Sequence, residues 1–349
     1  RGGAPPRVKR GTITPGWAGF VRAPSSLGWF TWYVLLVITV VVVLVGVATS
    51  LLGAAGGQRD SGRLAAYGLL QAVTGVAGGA LLWRKARQRV ARLIPIDPDS
   101  PVHATALVFA ILLFGTQLAA QLTMNLLAQA GRGQQLQPLD LVLQEVPFLL
   151  AAFLGVGIFV RRDPTQSLRR LGLVRPRAWQ LLLALSAAGL FYAFSITIDL
   201  LAQHLTPDLS RQVGASSQRL FGGLKTPVGI AAISIAVGVC EESLFRGALQ
   251  PRLGLISTAL LFAVVHTEYG LSLDALAVLV LALALGLIRR YANTTTTATC
   301  HVAYNAMVAV GVVGYVSPLV AAGGEAVLLA ATAASWWGRR KEGDEQDRR

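Results

Sequence analysis

Charge and cysteine are both scarce in this chain. Charged residues make up only 14% of its 349 residues, against roughly 25% in a typical soluble domain. With a hydrophobic share of 54% and a mean hydropathy of +0.57, that deficit excludes an ordinary water-soluble globule of this length. The two cysteines, Cys240 and Cys300, are too few for a disulfide framework. Both lie in apolar runs and read as small core filler. Each directly precedes a polar motif residue, Glu241 or His301. Helix neighbours point about 100° apart, so shared metal ligation does not follow. Acidic residues are also few, 17 against 31 Lys and Arg, giving a formal net charge of +14. No zinc-finger spacing and no basic recognition helix accompany that excess. The Arg clusters stand between apolar runs, as the positive-inside rule expects, so nucleic acid is not read as a partner. No internal repeat and no long soluble domain interrupt the apolar runs, and the lack of symmetry weighs against a transporter. The chain opens on Arg1 rather than Met, as a trimmed chain would. No signal-peptide cleavage pattern precedes the first apolar run, which reads as a retained span.

What the chain does have is long apolar runs that reach the roughly 20 residues needed to cross a bilayer. They are continuously apolar rather than alternating, which argues against a β-barrel. The expected fold is an all-α, polytopic transmembrane helical bundle of about 8–10 spans. Residues 1–26 form a basic arm, and residues 27–205 hold the amino-terminal spans. Residues 226–316 form a polar-residue-bearing core, 317–337 a last span, and 338–349 a charged tail. Basic loops follow the second, fourth and eighth runs and flank both ends, which places both termini in the cytoplasm. Gly75, Gly78 and Gly79 predict close helix packing. Gln117, Gln121 and Asn125 recur every four residues and predict interhelical hydrogen bonds. Glu145, Asp199 and His204 read as ordinary groups near helix ends. Ala- and Arg-rich composition points to a bacterial cell membrane.

The core carries the chemistry. Ionisable groups at membrane depth cost about 2.5–3.5 kcal/mol each on insertion scales, and by default they mark function. Glu242 and Arg246 are four apart on one helix, so they share a face and can pair. Glu241 points elsewhere and stays free; a carboxylate in a low-dielectric site is suited to act as a general base. His266 follows Phe262 by four, and His301 precedes Asn305 by four, so each pair shares a face. From the cytoplasmic edge, Glu241, His266 and His301 lie about 14, 17 and 11 Å deep at the helical rise. All three could meet in one cavity.

The series Glu241-Glu242-x-x-x-Arg246, Phe262-x-x-x-His266 and His301-x-x-x-Asn305 resembles the CAAX-protease and bacteriocin-processing (CPBP, or Abi) intramembrane proteases over roughly residues 227–315. The amino-terminal spans carry no matching motif. The resemblance implies an intramembrane endopeptidase acting on a membrane-associated or lipidated protein or peptide. It implies that Glu241 activates a water with help from His266. Glu242 and Arg246 would orient the site or the substrate, with Phe262 in support. His301 and Asn305 would either complete a metal site or stabilise the oxyanion. Two versions stay open. Glu241, His266 and His301 could ligate Zn2+ with an open position for water, leaving Glu242 as the base. Alternatively the reaction runs metal-free on the glutamate. No His-Glu-x-x-His motif guarantees the metal, and no Gly-x-Ser-x-Gly elbow supports Ser243 as a nucleophile. Glu268 reads as a loop carboxylate. Rival readings are a non-catalytic scaffold or immunity-type peptide-binding factor, and an ion-coupled transporter using the same acids and imidazoles.

Overall fold

Among the described residues every named element is helical, apart from an isolated backbone bridge between Ile158 and Arg162. The computed structural model describes residues 26–56, 61–94, 96–124, 135–159, 162–266, 269–313, 326 and 329–334. Most of the basic arm, Asn125, Glu268, most of the run at 316–337 and the tail lie outside the described residues.

Helix α1 (Ser26–Ala55) and helix α2 (Ser61–Ala80) form a hairpin whose backbones touch. A Cβ built on Gly68 would stand 2.8 Å from Ser50 Cα, and one on Gly75 would stand 2.9 Å from Val43 N. Glycine is required there because only a bare Cα lets two membrane helices approach so closely. A Cβ on Gly78 would meet Leu112 of helix α4 (Pro101–Thr123), so the expected small-residue face is a packing face. Gly68→Leu is therefore expected to destabilise the fold by about 1–3 kcal/mol. Gly62→Leu, with nothing within 4 Å of its Cβ, should be neutral. Thermal unfolding of the purified protein in detergent checks both.

Between α2 and α4 the chain turns by 95° into helix α3 (Arg84–Val90). Arg87 fixes the corner: its guanidinium donates to the carbonyls of Pro98, Leu81 and Leu82 at 2.6–2.8 Å and stacks over Trp32 at 4.4 Å. Arg84 pairs with Asp99 on the surface, and that bidentate pairing holds the Asp99 carboxyl below its usual range. Ser100 caps α4 and Pro101 opens it, as helix starts favour. Gln121 donates across to the Val264 carbonyl at 3.1 Å, the interhelical role expected of it.

Helix α5 (Pro138–Gly155) is followed by the short helix α6 (Pro164–Leu171), capped reciprocally by Asp163 and Gln166 and closed by Gly172 at φ +77°. Helix α7 (Ala178–Leu205) crosses, and helix α8 (Pro207–Phe221) leads into helix α9 (Pro227–Leu253). Gly254, at φ +82°, separates α9 from the 11-residue helix α10 (Leu255–Val265). Helix α11 (Leu273–Tyr291) and helix α12 (Thr294–Val313) complete the described core.

Among the described residues five helices, α1, α4, α5, α7 and α9, are long and apolar enough to cross a bilayer alone, or six if the bent α2–α3 pair is one span. The shortfall against the expected count has a local cause. Helix α10 is too short, α11 ends in Arg289 and Arg290, and α12 opens on four threonines and carries His301 and Asn305. Large apolar side chains such as Leu44, Leu51 and Leu52 of α1 stay exposed on the bundle. A face of that kind needs hydrocarbon around it. These features support an integral, multi-pass membrane protein.

Candidate active site

Helix α9 is irregular where it matters. Two π-helical stretches, Ile233–Val237 and Ser243–Leu249, flank the α-helical turn Gly238–Glu242. Such wide turns are rare and concentrate at functional positions. Here they set the directions in which Glu241, Glu242 and Arg246 leave the helix.

Glu242 is fully buried, and its Oε1 lies 3.2 Å from Arg246 Nη1 and 3.2 Å from His301 Nδ1. The Thr297 hydroxyl approaches the same carboxylate. Arg246, only 1% exposed, also donates through Nη2 to the Ala282 carbonyl of α11 at 3.2 Å. Its guanidinium lies 4.3 Å over the Phe262 ring. A buried carboxylate, a guanidinium and an imidazole thus form one network drawn from α9, α11 and α12. Each charge has a partner, as burial requires.

Glu241 faces a different neighbour. Its Oε1 lies 4.0 Å from His266 Nε2, so it is not the isolated carboxylate that the sequence suggested. His266 is the residue that ends α10, where the last carbonyls of a helix lack amide partners. Its Nδ1 sits 2.8 Å from the Phe262 carbonyl. A carbonyl only accepts, so Nδ1 carries the hydrogen. In the neutral ring Nε2 then presents its lone pair toward Glu241. Phe262 links the two halves of the site: its ring centroid is 4.5 Å from that of His266 and 6.0 Å from that of His301. Phe245 packs edge-on against it at 5.1 Å.

Asn305, one turn beyond His301, donates through Nδ2 to the Ile233 carbonyl at 3.4 Å, inside the first π-helical stretch. It stitches α12 to α9 and does not join the Glu242 network. Glu145, read as an ordinary end group, is buried on α5 beside Cys240. The reason is length: α5 begins at Pro138, so Glu145 lies about 10 Å along the helix, against α9 and away from water. Cys240 and Cys300 are free and buried, as core filler should be.

The sequence reading missed the polar floor beneath the site. Thr294, Thr296 and Thr297 are fully buried. Asn293 Oδ1 accepts from both the amide and the hydroxyl of Thr296 at 2.9 Å, and Asn293 Nδ2 donates to Gln180 of α7 at 3.1 Å. Thr294 donates to the Leu171 carbonyl and Thr295 to that of Val174, docking the end of α6 onto α12. The available signal was the run of four threonines just ahead of His301, which reads as a helix entrance until its neighbours are known.

The donor set expected for zinc is not assembled. Glu241 and His266 approach each other, but His301 turns its Nδ1 to Glu242. Among the described residues no group of three or more His, Cys, Asp or Glu could hold a metal ion. The metalloprotease reading therefore has no support in the geometry of the described residues.

Residues 223–307 match the family model described as type II CAAX prenyl endopeptidase Rce1-like. That stretch contains all three motif elements, so the resemblance to the CPBP proteases is borne out over this core. No curated protein and no solved structure matches the chain.

Proposed function

We propose that this protein is a metal-independent intramembrane endopeptidase that cleaves a membrane-associated, prenylated or otherwise lipidated protein by a glutamate-activated water. The match to a CAAX-type endopeptidase family supports an intramembrane protease in general. The observation that carries the finer reading is the gap between Glu241 Oε1 and His266 Nε2. At 4.0 Å it is too wide for a direct hydrogen bond. A water at about 2.8 Å from both atoms would see them at an angle of about 90°, close to its own geometry.

Glu241 takes a proton from that water while His266, held by the Phe262 carbonyl, accepts the other hydrogen and aims the oxygen lone pair. The oxygen attacks the peptide carbonyl, and charge develops on the carbonyl oxygen. We assign the donor for that charge to His301, whose ring lies across Phe262 from His266. With Nδ1–H given to Glu242, a solvent proton taken up on Nε2 before the substrate binds would let the ring donate Nε2–H to the oxyanion; that proton stays on the ring through the cycle beside the Glu242 carboxylate. Arg246 neutralises Glu242 so that this carboxylate does not compete with Glu241 for the proton. Asn305 positions α12 through Ile233. The protonated Glu241 then delivers its proton to the leaving amine, which closes the cycle.

Orientation in the bilayer follows from the charges. The Arg87 corner touches Trp32 near the start of α1, and Arg170 and Arg252 stand within electrostatic reach of His103 at the start of α4. One end of the bundle therefore collects basic residues, and we assign that end, with the amino terminus, to the cytoplasm on the positive-inside rule.

The test is cleavage of a farnesylated peptide by the protein reconstituted in liposomes, with and without 1,10-phenanthroline. The expected result is cleavage whose rate changes less than about twofold with the chelator, since one tenfold step corresponds to only 1.4 kcal/mol of barrier. No cleavage of any lipidated peptide overturns the proteolytic reading. Cleavage lost to the chelator and restored by zinc overturns the metal-independent one.

A further inference from the structure

Among the described residues the four arginines at the basic end of the core have no acidic partner, and this separates them from the paired network of the active site. Arg252, at the end of α9, is only 8% exposed. Its Nη1 donates to the Ala248 carbonyl at 3.0 Å, while its buried Nε has no acceptor. Arg289, at the end of α11, likewise keeps a buried Nε without an acceptor. Arg170 of α6 lies within electrostatic reach of Arg252, Arg289 and Arg162. Arg162 adds a fourth guanidinium, anchored through one nitrogen to the Val156 carbonyl. Among the described residues, none of the four has a carboxylate at ion-pair distance. Two acids stand nearby with other partners: Asp163, next to Arg162, caps α6 through Gln166, and Asp97 faces His103, itself within reach of Arg252 and Arg170.

Like charges gathered from four chain segments and partly removed from water repel one another, and burial strengthens that repulsion. Surface arginines would splay into solvent. Arg252 is held in by the fold instead, which calls for a counter-anion. The surroundings say which kind. The cluster sits where α9 and α11 end and α10 begins, in the plane expected for lipid headgroups. Exposed apolar side chains stand on the same helices near their ends: Leu168 on α6, Ile256 on α10 and Leu287 on α11. A ligand that fits has an anionic oxygen group for the guanidinium forks and hydrocarbon for the rim.

We propose that Arg162, Arg170, Arg252 and Arg289 form a binding site for the phosphate of an anionic phospholipid. The site is separate from the proteolytic residues. Arg252 follows Arg246 on α9 by six residues, about 9 Å of rise. Binding there holds the ends of α9 and α11 and the short helix α6 together, beneath the threonine floor of the active site. The proposal does not depend on whether the protein is a protease, and its readout is lipid retention rather than cleavage.

The experiment uses the full chain purified into nanodiscs of phosphatidylcholine, alone or with phosphatidylglycerol. Native mass spectrometry counts retained lipid, and tryptophan fluorescence follows thermal unfolding. Phosphatidylglycerol should be retained at one molecule per chain and should raise Tm. Arg170→Gln, at a half-buried position that tolerates the change, should cut retention about tenfold, the effect of losing one charge-assisted contact of roughly 1.4 kcal/mol. Arg252→Gln should do the same, and if it fails to fold, Arg170→Gln carries the test. Arg211→Gln, on the exposed face of α8, is the control and should change nothing. Equal retention by Arg170→Gln and the parent protein overturns the site. A Tm rise with inorganic phosphate in phosphatidylcholine discs, without phosphatidylglycerol retention, overturns the lipid assignment. Displacement of phosphatidylglycerol by a peptide with a free carboxyl terminus, with no lipid effect on Tm, also overturns it, in favour of a substrate carboxylate.

Discussion

Glu241→Gln is expected to lower kcat for lipidated-peptide hydrolysis by about 10²–10⁴-fold, the usual worth of a positioned general base. The amide has the shape of the carboxylate but cannot accept the proton of the attacking water. Its stability cost should be small, because Glu241 stands outside the Glu242–Arg246–His301 network. The matched substitution Glu242→Gln should behave differently. It removes the negative charge between Arg246 and His301, so both stability and turnover should fall. KM should move little for Glu241→Gln, since the lost interaction is made only as the proton moves. The measurement is steady-state cleavage in proteoliposomes beside thermal unfolding in detergent. A Glu241→Gln enzyme within threefold of the parent would remove Glu241 from the mechanism. A scaffold would keep its phenotype in that variant, and a transporter would instead shift the pH dependence of uptake.

Much of this site was legible in the sequence, and the reason is specific. A helix fixes the spacing of its own residues, so Glu242 and Arg246 had to share a face, and they meet at 3.2 Å. Apolar runs fix depth to within a turn, so Glu241, His266 and His301 were expected near one level. The structure brings Glu241 to His266 and His301 to Glu242, with the Phe262 ring between them. What spacing does not fix is rotation about the helix axis relative to neighbours. That rotation decides whether His301 turns to Glu241 or Glu242, and it separates a metal-ligand set from an ion-paired network. Here two π-helical stretches in α9 alter it, and nothing in the residues 233–249 announces them.

Other features were hidden for related reasons. Glu145 looked terminal because apolar runs blur helix ends, and the start at Pro138 carries it inward. The four threonines that open α12 carried no reading from the sequence, since polar residues at a helix start are ordinary. Three of them, Thr294, Thr296 and Thr297, are buried because α6 and α7 fold over this end of α12, through contacts separated by more than one hundred residues in sequence. The 95° corner at Arg84 was likewise invisible, because its cause is Arg87 reaching three distant carbonyls.

Arg246→Met is the second large effect, and it falls on the fold. Arg246 and Glu242 are 1% and 0% exposed, so removing the cation strands a carboxylate in the bundle with only His301 and Thr297 near it. Breaking a buried pair by deleting one partner costs about 3–5 kcal/mol. The loss should exceed that of an ordinary large-to-small change here, because Met restores most of the apolar contact with Phe262 and isolates the charge term. The double variant Glu242→Leu/Arg246→Met makes the argument sharp. Replacing both members of a buried pair with apolar groups is often neutral or stabilising, so the double variant should regain most of the lost stability. It should nonetheless stay inactive, because His301 would have no carboxylate to hold its ring toward the oxyanion. Thermal or denaturant unfolding of the three proteins in one detergent reads the cycle. If Arg246→Met unfolds within about 0.5 kcal/mol of the parent, the size of an ordinary surface change, Glu242 is not held as a buried anion. The proposed support of His301 would then have to be abandoned, while Glu241 and His266 could still form the water site.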